Sequence, residues 1–119
     1  MKKRLYIAYG SNLNIEQMAS RCPDARVVGA GELKGYRMLF RASGRPGVAT
    51  VEPCEGRAVP VLVWEISPRD EDSLDIYEGW PNLYRKENLT AELENGPVEA
   101  MAYVMNDGRP LSAPSNSYF

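Results

Sequence analysis

The sequence predicts an α+β fold built on a curled, mostly antiparallel sheet with two helices, and three observations carry that expectation. About six short runs of apolar, β-branched and aromatic residues are punctuated by Gly, Pro and Asn, the pattern of strands joined by tight turns. Only two segments carry helical signals, and they do not alternate regularly with the strands, which argues against a parallel βαβ sheet. Asn95-Gly96, between the last two runs, is a hairpin signal. With 119 residues, 44% of them hydrophobic and 25% charged, the chain has the length and composition of one folded domain over residues 1–119.

Taken in order, Leu5 to Tyr9 (LYIAY) is an apolar run that stops at Gly10-Ser11-Asn12 and reads as a buried strand ending in a tight turn. A helix follows, with Asn14 as its cap, Gln17 at the second capping-box position and Ile15, Met18, Ala19 and Cys22 at the spacing of one apolar face; Pro23 ends it. Ala25 to Phe40 carries strand-type residues broken by Gly29, Gly31 and Gly35, which predicts bends or bulges. Arg41 to Pro46 is a polar loop before a short strand over Gly47 to Val51. Ala58 to Ile66 is apolar on both faces except for Glu65, so it is expected in the centre of the sheet or packed on two sides, with Pro60 marking a strand start or a bulge. Ser67-Pro68 starts the second helix, Asp70, Glu71 and Asp72 suit the positive end of its dipole, and Gly79 and Pro81 stop it. Leu83 to Leu93 and Val98 to Met105 pair as a hairpin, and Asn106 to Phe119 is a loop lying over the body.

Composition removes several functional classes. The chain has no histidine, which excludes Ser-His-Asp and Cys-His catalysis, HExxH zinc hydrolysis and histidine proton shuttles. Cys22 and Cys54 are the two cysteines, too few for a structural zinc site, so no metal or other cofactor is expected. A net charge of −2 lacks the positive field that nucleic-acid binding requires. The apolar stretch behind Lys2-Lys3-Arg4 is too short for a signal peptide, and no run approaches the roughly 20 apolar residues of a membrane span. Without a CxxC pair or a secretion signal, a cytoplasmic protein with reduced thiols is expected.

Two places could carry chemistry. At Tyr9-Gly10-Ser11-Asn12-Leu13 a strand end meets a helix start, where backbone N–H groups can converge on a carboxylate or an oxyanion. On spacing alone, Gly-Ser-Asn is ordinary turn chemistry and favours a plain strand-to-helix turn. The second place is Glu78, in Leu74-Asp75-Ile76-Tyr77-Glu78-Gly79. A carboxylate in the last helical turn faces the negative end of the dipole, with Asp75 one turn away, and both effects raise its pKa. Helical spacing sets Glu78 between the apolar pair Leu74 and Tyr77 and the acidic pair Glu71 and Asp75, so partial burial would lift it further, toward the range of roughly 6 to 7 useful to a general base. Placement alone fits a solvated surface glutamate equally well. Both cysteines read as structural, because nothing in the chain would generate a thiolate. Trp64, Trp80, Tyr77 and Tyr84 could wall a pocket or fill the core.

Together these features resemble the gamma-glutamylcyclotransferase-like family. The resemblance runs through Tyr9-Gly10-Ser11-Asn12-Leu13, Gly47-Val48-Ala49-Thr50, Leu74-Asp75 with Glu78-Gly79, then Tyr84, and Ser112-Ala113-Pro114 with Tyr118. It implies a small mixed, mostly antiparallel β-barrel-like sheet with flanking helices, a substrate loop at Tyr9 to Leu13 joined by Tyr84, and a single catalytic glutamate, Glu78. The implied activity is that of an acyltransferase: the α-amine of a small gamma-glutamyl substrate attacks its own γ-carbonyl and releases 5-oxoproline and an amine or amino acid. A non-catalytic domain of the same fold, holding an amino-acid-like or glutamyl ligand, is the alternative. Such proteins continue past the terminal tyrosine into a short helix, so the chain is expected to be truncated at its C-terminus.

Overall fold

The computed structural model describes residues 3–9, 15–41 and 48–106. Within them the chain runs β1 (Arg4–Ala8), α1 (Ile15–Arg21), β2 (Arg26–Arg41), β3 (Val48–Ile66), α2 (Pro68–Glu78), β4 (Tyr84–Leu93) and β5 (Gly96–Met105). The strands close into a mixed barrel in the order β1-β3-β2-β4-β5. Neighbours are antiparallel except at the β1–β5 seam, where Tyr6 pairs with Met101 in parallel. The α+β barrel expected from the sequence is therefore the fold of the described residues.

Alternation of side chains divides the interior in two. Ile7, Leu33, Val51, Val59, Val61, Val63, Leu89, Ala91, Ala100, Ala102 and Val104 form one buried cluster. The intervening residues Tyr6, Ala8, Trp64, Ile66, Met101, Tyr103 and Met105 form a second, with Met18 and Cys22 of the first helix and Leu74 of the second. Successive strand side chains point to opposite faces, so residues 6–8 of β1, 61–64 of β3 and 100–105 of β5 are apolar on both because one face fills the barrel and the other carries the helices. The expectation that Ala58 to Ile66 is packed on two sides holds only for its second half: Val63, Trp64 and Ile66 are buried, whereas Ala58 and Pro60 are exposed beside buried Val59 and Val61.

Three expectations about elements are corrected. The strands expected over Gly47 to Val51 and Ala58 to Ile66 are, from Val48 on, arms of the single strand β3, both paired with β2; Gly47 lies outside the described residues. Lys34 pairs with Ala58 and Tyr36 with Pro53, so four β3 residues lie opposite Gly35 alone, and Gly35 and Gly56 take φ of 80° and 82°. Pro53-Cys54-Glu55-Gly56 reads locally as a break, yet pairing resumes with the same partner beyond it. Ala19 is exposed and leaves the expected apolar face, of which Met18 and, just past the helix, Cys22 are buried and the Ile15 side chain lies outside the described residues. The β4–β5 turn is Glu94-Asn95, with Leu93 paired to Gly96, one residue earlier than the Asn-Gly reading.

Other local readings hold. The register of β2 slips between Val27 and Gly29 and between Lys34 and Tyr36, the bulges its glycines suggested. Pro60 faces Glu32 of β2, and β1 begins pairing with β3 only at Leu62, so the missing N–H costs no ladder bond on that open side. Asn14 and the terminal segment from Asp107 lie outside the described residues.

Candidate active site

The α2 helix is fixed at both ends by its own sequence. Ser67 accepts a bond from the Asp70 N–H at 3.1 Å, and Asp70, almost fully buried, accepts one from the Ser67 N–H at 3.1 Å, a complete capping box. The same hydroxyl donates to Asp24 at 3.1 Å, tying the α1–β2 connection to the start of α2. At the other end Gly79 turns left-handed, with φ of 71°, and its N–H reaches the Ile76 carbonyl at 3.3 Å.

One face of α2 is clamped to the barrel by charge. Lys86 of β4 donates to Glu71 at 2.7 Å and to Asp75 at 3.2 Å, and Arg4 of β1 reaches Glu71 at 2.6 Å. Tyr103 of β5 donates to Asp75 at 2.6 Å. Burial first, then the bond to Asp75, pushes the Tyr103 phenol up, which keeps it a hydrogen-bond donor at neutral pH. Glu71 and Asp75 are one turn apart, and the one cation of their helix, Arg69, is not three or four residues from either, a signal that a partner had to come from elsewhere; the identity of Lys86 was not legible.

Glu78 occupies the last turn of this clamped helix and is half-buried. Its carboxyl is pushed up to about 7, first by burial, with the Arg21 charge pulling the other way. The direction agrees with the sequence reading, but the dominant cause is desolvation, and the Asp75 carboxylate is engaged by Lys86 and Tyr103. Tyr77 is 50% exposed and does not join Leu74 on the buried face. Instead the Arg21 guanidinium lies 3.5 Å over the Tyr77 ring. Lys86 sits 4.0 Å from the ring centre of Trp80, which is also partly exposed. Of the four aromatic residues considered as pocket walls, Trp64 and Tyr84 belong to the core.

The other expected site residues divide between described and undescribed parts of the chain. Tyr9 follows β1, and its hydroxyl donates to the Tyr103 carbonyl near the end of β5. Gly10, Ser11, Asn12 and Leu13 lie outside the described residues. Tyr84 opens β4 opposite Met105, is buried, and donates its hydroxyl to the Ala49 carbonyl. The Met105 N–H donates to the Thr50 hydroxyl at 2.9 Å. The end of β1, the end of β5, the start of β4 and Ala49-Thr50 of β3 therefore share one end of the barrel. The turn after Glu78 feeds β4 there, since the Leu83 N–H bonds to the Gly79 carbonyl at 2.8 Å. A groove of about 430 Å³ lined by Lys3, Pro23, Asp24, Ala25, Arg26, Ser67 and Pro68 lies at the other end of α2.

Chemically, a half-buried carboxyl titrating near neutrality can both take and give a proton. Cys22 is unsuited to nucleophilic work, because burial pushes its thiol up to about 12. Among the described residues no three His, Cys, Asp or Glu side chains cluster as metal ligands, and no helix is long and apolar enough to cross a membrane.

Residues 6–118 match the family model described as gamma-glutamyl cyclotransferase, AIG2-like. The chain is 29% identical to a Bos taurus gamma-glutamylcyclotransferase over 126 aligned residues, covering 96% of this chain and 65% of that protein. It is 33% identical to a Homo sapiens gamma-glutamylcyclotransferase over 82 residues, 63% of this chain and 44% of that protein. It thus spans less than two thirds of the length of either relative. A solved structure named gamma-glutamyl cyclotransferase superposes with a TM-score of 0.89 at 26% identity, covering 98% of this chain and 74% of that one.

Proposed function

The chain belongs to the gamma-glutamyl cyclotransferase, AIG2-like family, and from that premise we propose that it cyclises a small gamma-glutamyl compound to 5-oxoproline with Glu78 as general base and then general acid. The observation that carries this reading is the Glu78 carboxyl, half-buried at the end of a clamped helix and pushed up to about 7.

The substrate brings its own nucleophile. Its α-amine attacks its own γ-carbonyl, a C–N bond closes the five-membered lactam, and the bond to the leaving nitrogen breaks. The α-ammonium gives up two protons while the leaving nitrogen gains two, so the reaction balances without a co-reactant. Glu78 moves those protons, which a carboxyl with a midpoint near the working pH does in both directions. Holding the glutamyl chain folded makes the attack intramolecular and contributes several kcal/mol of barrier lowering. The Tyr9 to Leu13 stretch, with Tyr84 behind it, is proposed to bind the glutamyl carboxylate or the developing oxyanion. The transfer is an acyl transfer whose acceptor lies within the same molecule, so no enzyme nucleophile or histidine is required.

The test is incubation of the purified protein with a panel of gamma-glutamyl amines and amino acids, assayed for 5-oxoproline. Release from at least one of them is the expected result, and no product from any of them overturns the reading.

A further inference from the structure

Arg21 is the last residue of α1, yet its side chain is committed to α2. The guanidinium lies 3.5 Å over the ring of Tyr77, the residue immediately before Glu78, and that ring is half-exposed. A planar guanidinium stacks on an aromatic face with little loss of freedom, so the cation is held in place and not merely tethered. The helix that carries it is anchored as well. Met18 and Cys22 are buried in the cluster beneath the helices, and the Cys22 thiol approaches the Asp70 carbonyl of α2 at 3.7 Å. The charge of Arg21 acts on Glu78 and opposes the effect of burial.

We propose that Arg21 is a positioning residue for the Glu78 carboxyl, stacking on Tyr77 to lock α1 to the last turn of α2 and holding a fixed positive charge beside the reacting group. The inference rests on the cyclisation reading above and deepens it, by assigning control of the base to a residue outside both candidate motifs.

The surroundings assign this part to Arg21. From β4, Lys86 faces Glu71 and Asp75; from β5, Tyr103 faces Asp75; and from β1, Arg4 faces Glu71. Those charges are occupied one and two turns before Glu78. Arg21, from α1, faces the turn that holds Glu78 itself. Burial alone would raise the carboxyl further and leave less base at neutral pH, whereas a nearby cation favours the ionised form. An exposed lysine at this position would be a mobile, hydrated point charge, while the planar guanidinium lies against the Tyr77 ring.

The test is titration of the Glu78 carboxyl by carbon NMR, assigned by difference from E78Q, together with the pH profile of cyclisation. In R21Q the midpoint is expected to rise by about one unit, which lowers the rate about fivefold at pH 7 and lets it recover near pH 9. A purely structural role for Arg21 lowers the rate by the same factor at every pH and leaves the titration in place. Y77L, a change at a half-exposed position that removes the stacking platform, is expected to shift the midpoint in the same direction by less. A midpoint equal to wild type in Y77L and in folded R21Q overturns the proposal. The titration needs no turnover, so an inactive wild type sinks the cyclisation reading by a separate measurement.

Discussion

At the scale of single residues, Glu78 is a group whose stability and activity effects have opposite signs. Its folded midpoint near 7 lies above the ordinary value of 4.5, so the folded state holds the proton more tightly than the unfolded state. Stability from this group is complete below about pH 4.5 and is lost as pH rises toward 7. E78Q is therefore expected to melt higher than wild type above pH 7 and to converge with it near pH 4, as read by calorimetry. Turnover in the same variant is expected to fall by about 10² to 10⁴. An unchanged rate beside an active wild type rejects Glu78 as the base. Tyr84 predicts a different pattern, because its hydroxyl is spent on the Ala49 carbonyl inside the fold. Y84F leaves that carbonyl short of a donor and is expected to cost about 1 to 3 kcal/mol in urea unfolding. The place of Glu78 at the end of α2 was legible because the helix stop at Gly79 and Pro81 is written beside it. Arg21 and Lys86 were not, since nothing in their local sequence says which distant turn they face.

At the scale of elements, what was legible followed from whether the cause was local. Both ends of α2 were readable because a capping box and a left-handed glycine act within a few residues. S67A removes the acceptor for the Asp70 N–H and the donor to Asp24 together. It is expected to cost about 1 to 2 kcal/mol, measured by urea unfolding, while the rate per folded molecule stays near wild type. A large loss of rate with little loss of stability would mean that the start of α2 shapes the site directly. The continuity of β3 was not readable, because Pro53 to Gly56 has the composition of a turn and only pairing with β2 on both sides carries the strand through. Ala19 misled for a similar reason: Met18 and Cys22 are buried against the barrel, while Ala19, one position on from Met18, turns to solvent.

At the scale of the molecule, closure depends on how near two backbones can come. The β2–β4 seam is short, with Gly31 paired to Leu93 and Glu32 to Glu92. It completes the ring that brings the start of β4, and so the turn after Glu78, beside the ends of β1 and β5. At Gly31 a Cβ would stand 2.1 Å from the Glu92 carbonyl oxygen and 2.7 Å from the Leu93 side chain. The oxygen belongs to the backbone, so relief requires the strands to separate and lose their shared ladder bonds. At Gly29, by contrast, a Cβ would meet a Leu93 methyl at 3.4 Å, which is ordinary contact. Sequence signalled a special position at both glycines without distinguishing them, because the difference lies in which atom of a distant strand each one faces. G31A is expected to cost about 3 kcal/mol or more in urea unfolding, with faster amide exchange concentrated in β2 and β4 near Glu32 and Leu93. G29A is expected to stay within about 1 kcal/mol of wild type. Because β4 starts beside the candidate site, cyclisation by G31A should fall with closure even though residue 31 touches none of the proposed catalytic groups. Equal stability in the two variants would show that the barrel does not depend on close approach at Gly31.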